Sequence, residues 1–160
     1  MKLADQCAMQ DIPKIEGKNY SVMHAGKFED LRQYKLQHPV IADRKVAGKL
    51  FVRDHIGLTG MQISLNLLPP GVAVPFGHKH KVNEELYIFT GGTGQIQIDG
   101  DIIDVQEGSC VRVAPGGDRT WRNNGTENLY YVVIQAKENS LTQDTFDDGI
   151  PSEVQPVWPD

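Results

Sequence analysis

Apolar and polar positions alternate in short runs through the middle of the chain. Gln62, Ser64 and Asn66 interleave with Ile63, Leu65 and Leu67, and Gln95-Ile96-Gln97-Ile98 repeats the pattern. A period of two belongs to a strand with two unlike faces. From Leu50 onward such runs recur, each bounded by Gly, Pro, Asn or Asp. They predict strands at about Met61–Leu68, Leu86–Phe89, Gly94–Ile98, Ile102–Val105, Cys110–Val113 and Leu129–Ala136. Asp99-Gly100 lies between two alternating runs and supplies the positive φ of a tight hairpin. Asn124-Gly125 repeats that signal between Trp121 and Tyr130. Phe28, Leu31 and Tyr34 stand three apart, which predicts one short amphipathic helix over Lys27–Leu36. The first twenty residues read as a polar arm. The stretch from Leu141, with Pro151, Pro156 and Pro159, reads as a surface extension anchored by Trp158, or else as disordered. Many short strands with regular turn punctuation predict an all-β barrel or sandwich.

Composition narrows the class. The 160 residues suit one domain with a sizeable core, and 39% hydrophobic with 23% charged residues excludes a disordered chain. No apolar run approaches the roughly 18 residues of a membrane span. A net charge of −5 argues against nucleic acid as the main partner, since phosphate binding calls for a basic face. Cys7 and Cys110 form no CxxC and no disulfide framework. Cys110 falls in Cys110-Val111-Arg112-Val113 and is expected as a buried free thiol. The first residues lack the apolar segment of a secretory signal, so a cytoplasmic, reducing location is expected. Asn124-Gly125-Thr126 then reads as a turn and not a glycosylation site.

The chemistry concentrates in Gly77-His78-Lys79-His80-Lys81-Val82-Asn83-Glu84-Glu85-Leu86-Tyr87. On a strand, His78 and His80 face the same way. Glu85 opens the next β-run and can return a carboxylate to the same point. Two imidazoles and one carboxylate suit a first-row divalent cation and match the open-sided set of non-heme Fe(II) sites. The bland alternative is a solvated basic strand end with Glu84-Glu85 as its charge partner. Other residues are less specific. Gln62, Ser64 and Asn66 either line a cavity or form a wet face, as do Gln95 and Gln97. Tyr87 and Phe89 share the parity of Glu85 and either wall the pocket or pack in the core. Trp121 and Tyr131 read as core or interface, and Lys79 as solvent-facing. His24, His38 and His55 lie outside any ligand spacing. No Ser-His-Asp order is present, and Gly91-Gly92-Thr93-Gly94 lacks the helix that a phosphate loop needs.

These residues resemble the cupin superfamily. Its first motif is Gly, five residues, His-x-His, three or four residues, Glu, six residues, Gly. His78-x-His80, four residues, Glu85, six residues and Gly92 match the longer form, and Glu84 with Gly91 matches the shorter one. Related sequences commonly show a Glu pair ahead of an aliphatic-aromatic strand and use the second Glu, so the resemblance favours Glu85. Gly71 stands one residue too far from His78. The second motif is Gly, five residues, Pro-x-Gly, two residues, His, three residues, Asn. Counted from Gly108, its frame runs through Gly116 to Asn123, but Ala114 replaces the Pro and Arg119 the His.

The resemblance, most like the small single-domain bacterial cupins, implies an all-β double-stranded β-helix, a jelly-roll-like barrel with N- and C-terminal extensions. It implies an extension over 1–47, a barrel over 48–138 and a tail over 139–160. It also implies a divalent metal (Fe, Mn, Ni or Zn) held by His78, His80 and Glu85, and a homodimer formed through sheet edges. A guanidinium has no lone pair for a metal, so Arg119 leaves three protein ligands. It would orient an anionic or oxygenated small-molecule substrate as a catalytic residue, or mark a metal-free site, or pair with a nearby acid such as Asp118. The expected function is a metal-binding cupin acting on a small organic molecule, with dioxygenase or isomerase chemistry. The alternative is a non-catalytic small-ligand-binding cupin whose metal is structural or absent. Neither nucleic acid nor membrane is an expected partner.

Overall fold

The computed structural model describes residues 12–36, 46–143 and 145–159. Cys7 and His38 lie outside them. The strands are β1 (Lys14–Glu16), β2 (Ser21–Met23), β3 (Lys35–Leu36), β4 (Val46–Ala47), β5 (Lys49–Phe51), β6 (Gln62–Leu68), β7 (Asn83–Gly91), β8 (Thr93–Ile98), β9 (Asp101–Gln106), β10 (Cys110–Val113), β11 (Arg119–Arg122) and β12 (Leu129–Lys137). Two four-residue helices, α1 (Arg53–Ile56) and α2 (Thr145–Asp148), and a 3-10 helix at Phe28–Gln33 complete the described elements. None of these helices is long and apolar enough to cross a membrane.

Two antiparallel sheets enclose the core. One has the order β10-β7-β12-β6-β5, the other β11-β8-β9. The alternation read in β6 sets which face points inward. Gln62, Ser64 and Asn66 lie opposite Gln135, Val133 and Tyr131 of β12. These in turn lie opposite Glu85, Tyr87 and Phe89 of β7. This face meets Ile96, Val105 and Trp121 of the second sheet in one apolar cluster. The opposite face of β5 and β6 carries Leu50 and Leu67, which pack with Leu31 and Tyr34 in a second cluster. Residues 28–36 therefore cover the outside of the barrel.

Two turns rest on glycine. At Asp99-Gly100 both φ values are positive (50° and 98°), as a two-residue hairpin between β8 and β9 requires. Gly92 turns the chain from β7 into β8 with φ +79°, and a Cβ there would stand 2.3 Å from the Asn128 carbonyl oxygen. That contact accounts for the glycine that closes the first motif.

The six expected strands are present, with ends shifted by up to three residues. Four expectations fail. The helix expected over Lys27–Leu36 is a 3-10 helix ending at Gln33, followed by β3. Asn124-Gly125 does not close a hairpin, because β11 pairs with β8 whereas β12 pairs with β6 and β7. Cys110 is exposed. On β10 it is Val111 and Val113 that turn to the core, and alternation sends Cys110 and Arg112 outward. Trp158 is exposed and anchors nothing among the described residues. β11 was not expected, since Arg119-Thr120-Trp121-Arg122 carries too little apolar contrast.

Leu31→Ala should lower unfolding stability by about 2–5 kcal/mol, the cost of a cavity in a packed cluster. Denaturant unfolding reads this. A loss within about 0.5 kcal/mol, the usual range for surface sites, would mean that residues 28–36 do not carry packing against the barrel.

Candidate metal centre

Three elements bring the site together. His78 lies in the connection after β6, and its backbone forms an antiparallel bridge with Arg119 of β11. Its N–H donates to the Arg119 carbonyl at 3.1 Å, and the Arg119 N–H returns a bond to the His78 carbonyl at 3.0 Å. The His80 N–H donates to the Pro115 carbonyl at 2.9 Å. These bonds hold His78-Lys79-His80 extended, so the imidazoles share a side and Lys79 is exposed. Glu85 enters from β7 on the inward face. Glu84, its neighbour, turns outward to pair with Arg112. The alternation of one strand thus separates the two carboxylates, and Glu85 is the one that joins the histidines.

One donor atom each from His78, His80 and Glu85 lies within 4.8 Å of the others. His80 Nε2 stands 3.1 Å from Glu85 Oε1, and His78 Nε2 stands 3.8 Å from Oε2. The two oxygens of Glu85 have different neighbours. Oε2 accepts from the Tyr87 hydroxyl at 2.7 Å and from Arg119 Nη2 at 2.7 Å and Nε at 3.2 Å. Oε1 faces His80 and accepts from Gln135 Nε2 at 3.3 Å. Arg119 is 1% exposed, and its Nη1 donates to the Gly117 and His78 carbonyls. Its side chain is therefore turned to Glu85 and the backbone, and not to Asp118.

Electrostatics follow from this packing. Burial alone would raise the Glu85 pKa, but the hydrogen bonds from Tyr87 and Arg119 outweigh it and hold the carboxyl at about 2, against an ordinary 4.5. Burial lowers the His78 pKa, and the Arg119 charge lowers it further. At neutral pH the site therefore offers an ionised carboxylate and a neutral His78 imidazole, the forms that ligate a metal. Among the described residues His78 Nδ1 is buried with no hydrogen-bond partner, while Nε2 is the ring nitrogen that faces Glu85. The donor set fits a divalent cation.

Two residues escaped sequence reading. Gln135 of β12 lies opposite Glu85 in register, and its Nε2 stands 2.8 Å from His80 Nε2. Lys49 of β5 lies opposite Asn66 and turns inward, where its Nζ donates to Asn66 Oδ1 at 3.0 Å and Ser64 Oγ at 3.1 Å. Burial lowers its pKa to about 8, although the Glu85 charge opposes the shift. The one available signal was the parity of Ser64 and Asn66, which Lys49 joins only through strand pairing. Tyr87, Phe89, Trp121 and Tyr131 are all buried core. Tyr87 also serves Glu85, and the Trp121 Nε1–H donates to the Tyr131 hydroxyl at 2.8 Å. Gln95 bonds Asp104 and Arg122 on the exposed side of β8.

A family model for the cupin domain matches residues 65–135. A cupin protein from Bacteroides fragilis superposes with a TM-score of 0.70 at 33% identity, covering 85% of this chain and 99% of its own. A protein provisionally named a sugar phosphate isomerase, from Acidithiobacillus ferrooxidans, matches with a TM-score of 0.54 at 23% identity, over 64% of this chain and 66% of its own. A predicted oxalate decarboxylase from Thermotoga maritima matches with a TM-score of 0.50 at 22% identity, over 58% of this chain and 79% of its own. The last two likenesses show the fold alone. No curated protein matches the chain.

The depressed Glu85 pKa has a sign that can be checked. A carboxyl held below its unfolded value adds stability that is complete above pH 4.5 and is lost as pH falls toward 2. The stability gap between wild type and Glu85→Gln should therefore shrink over that window in urea unfolding. A gap that stays constant across it would show that Arg119 and Tyr87 do not hold the carboxylate in this way.

Proposed function

The chain belongs to the cupin family, and on that premise we propose that it is a metal-binding cupin acting on a small anionic or oxygenated organic molecule. His78, His80 and Glu85 would hold the metal, with Fe, Mn, Ni and Zn as candidates. The convergence of these three donors, with Glu85 ionised and His78 neutral, carries this reading. Such a metal supplies Lewis-acid polarisation of a substrate oxygen. The chain's own residues prepare the place. Arg119 and Tyr87 bind Oε2 of Glu85 and leave Oε1 turned toward His80. Arg119 acts as a positioning residue, fixing the carboxylate with its side chain and His78 with its backbone. Gln135 presents an amide to the same point and can orient a bound oxygen. The apolar cluster beneath, with Tyr87 and Trp121 at its head, keeps water from that side.

One observation favours a second reading, a ligand-binding cupin with no metal. The guanidinium of Arg119 already neutralises Glu85, and the Gln135 amide bridges His80 and Glu85. A polar ligand would then take the cation's place between the imidazoles.

Elemental analysis separates the two. Untagged wild type should carry close to one transition metal per chain, and the His78→Ala/His80→Ala variant should carry none. His80→Ala alone should lose metal while its far-UV circular dichroism stays that of wild type. Wild type that stays metal-free after incubation with Fe(II), Mn, Ni and Zn would sink the metal reading and leave the second. Full occupancy in His80→Ala would place the metal elsewhere.

A further inference from the structure

Inside the barrel, Lys49 has an incomplete set of partners. Its ammonium has three N–H donors. Two go to Ser64 Oγ and Asn66 Oδ1, and the Phe51 ring centroid stands 4.9 Å from Nζ. Among the described residues it makes no ion pair with a carboxylate. Glu85 acts on it through its field and not by contact, and it is already paired with Arg119. A half-buried cation without a counter-ion gives up part of its hydration with no paired charge in return.

The surroundings are ordered around that amine. Asn66 and Ser64 are 1% and 3% exposed. Asn66 Nδ2 donates to the Ser64 and Tyr131 carbonyls, which fixes the amide and turns Oδ1 to Lys49. Ser64 Oγ accepts from Lys49, and neither Lys49 nor the Asn66 NH2 can accept in return. Among the described residues the Ser64 hydroxyl proton is thus a donor with no acceptor, as is the third N–H of Lys49. Two unspent donors and one uncompensated positive charge sit side by side. They lie on the inward face that also carries Glu85, close enough for Lys49 to act electrostatically on Glu85 and His78.

We propose that Lys49 and Ser64, braced by Asn66, form an anion subsite in the barrel interior that takes the carboxylate of a small organic acid. Two donors match the two oxygens of a carboxylate, and the ammonium supplies a charge-assisted bond. The subsite rests on the reading that the barrel interior is the ligand site, and it names the class of ligand. It does not depend on whether a metal is bound.

Calorimetric titration of malonate and of inorganic phosphate tests it, with metal-stripped and Mn(II)-loaded full-length protein. Malonate should bind both forms of wild type. Lys49→Met should weaken malonate about tenfold or more in both forms, the worth of a charge-assisted contact. Ser64→Ala should weaken it by less. Lys49→Met should also melt at or above the wild-type temperature, because a thioether of similar length removes a half-buried, unpaired charge, and it should keep the wild-type metal content. Wild-type malonate affinity in metal-stripped Lys49→Met overturns the subsite, as does the absence of malonate binding by wild type in both forms. Phosphate bound in preference to malonate overturns the carboxylate assignment. A lowered melting temperature in both Lys49→Met and Ser64→Ala, with malonate affinity unchanged, would give the cluster a structural role instead. Failure of the metal reading shows separately, as wild type that takes up no Mn(II), and leaves the metal-stripped arm intact.

Discussion

The pairing of Glu85 with Arg119 is the interaction on which the interior depends. A carboxylate inside an apolar barrel is unfavourable unless it is paired and hydrogen-bonded. Glu85 is buried on the inward face of β7, and Arg119 meets it from β11 in the other sheet. The same residue fixes His78, because its backbone bridges that position. One residue thus neutralises the buried charge and ties the loop that carries His78 to the barrel. Where the second cupin motif has an imidazole, this chain has a guanidinium that braces Glu85.

Around that pair the interior is graded. Glu85, Gln135 and Gln62 lie at one level across β7, β12 and β6, with the histidines at the same mouth. Two residues further along, Tyr87, Val133 and Ser64 form the next level, and beyond it lie Phe89, Tyr131 and Asn66. The β7 side becomes aromatic, whereas the β6 side stays polar and receives Lys49 from β5. Among the described residues the barrel therefore holds two charged centres, Glu85 paired with Arg119 and Lys49 with no carboxylate partner. That asymmetry points to an anion as the missing partner.

Much of this was legible in the chain. The period-two runs marked six strands, Asp99-Gly100 marked a hairpin, and the spacing of His78, His80 and Glu85 marked three donors that the fold brings within reach of one another. These are local signals, because the alternation of a pleated strand and the φ of a turn depend on neighbours in sequence. The errors had a local origin too. Cys110 sits among valines, but its parity sends it outward. Asn124-Gly125 carries a hairpin signature, yet the chain crosses between sheets there.

From the chain alone came six of the twelve described strands, the family resemblance and the residue types that converge on one point. Tertiary structure alone decided what each of those residues does. Glu84 and Glu85 are equivalent in the motif spacing, and only the facing of β7 sends one to Arg112 and the other to the histidines. Arg119 carried several readings in the motif, and the approach of β11 to β7 brings its guanidinium to Glu85. Lys49 and Gln135 carried no motif, and cross-strand register alone brings them inside. The physical reason is common to all four. Alternation in a strand fixes two faces, but which face is interior, and what lies opposite, is set by pairing between segments far apart in the chain.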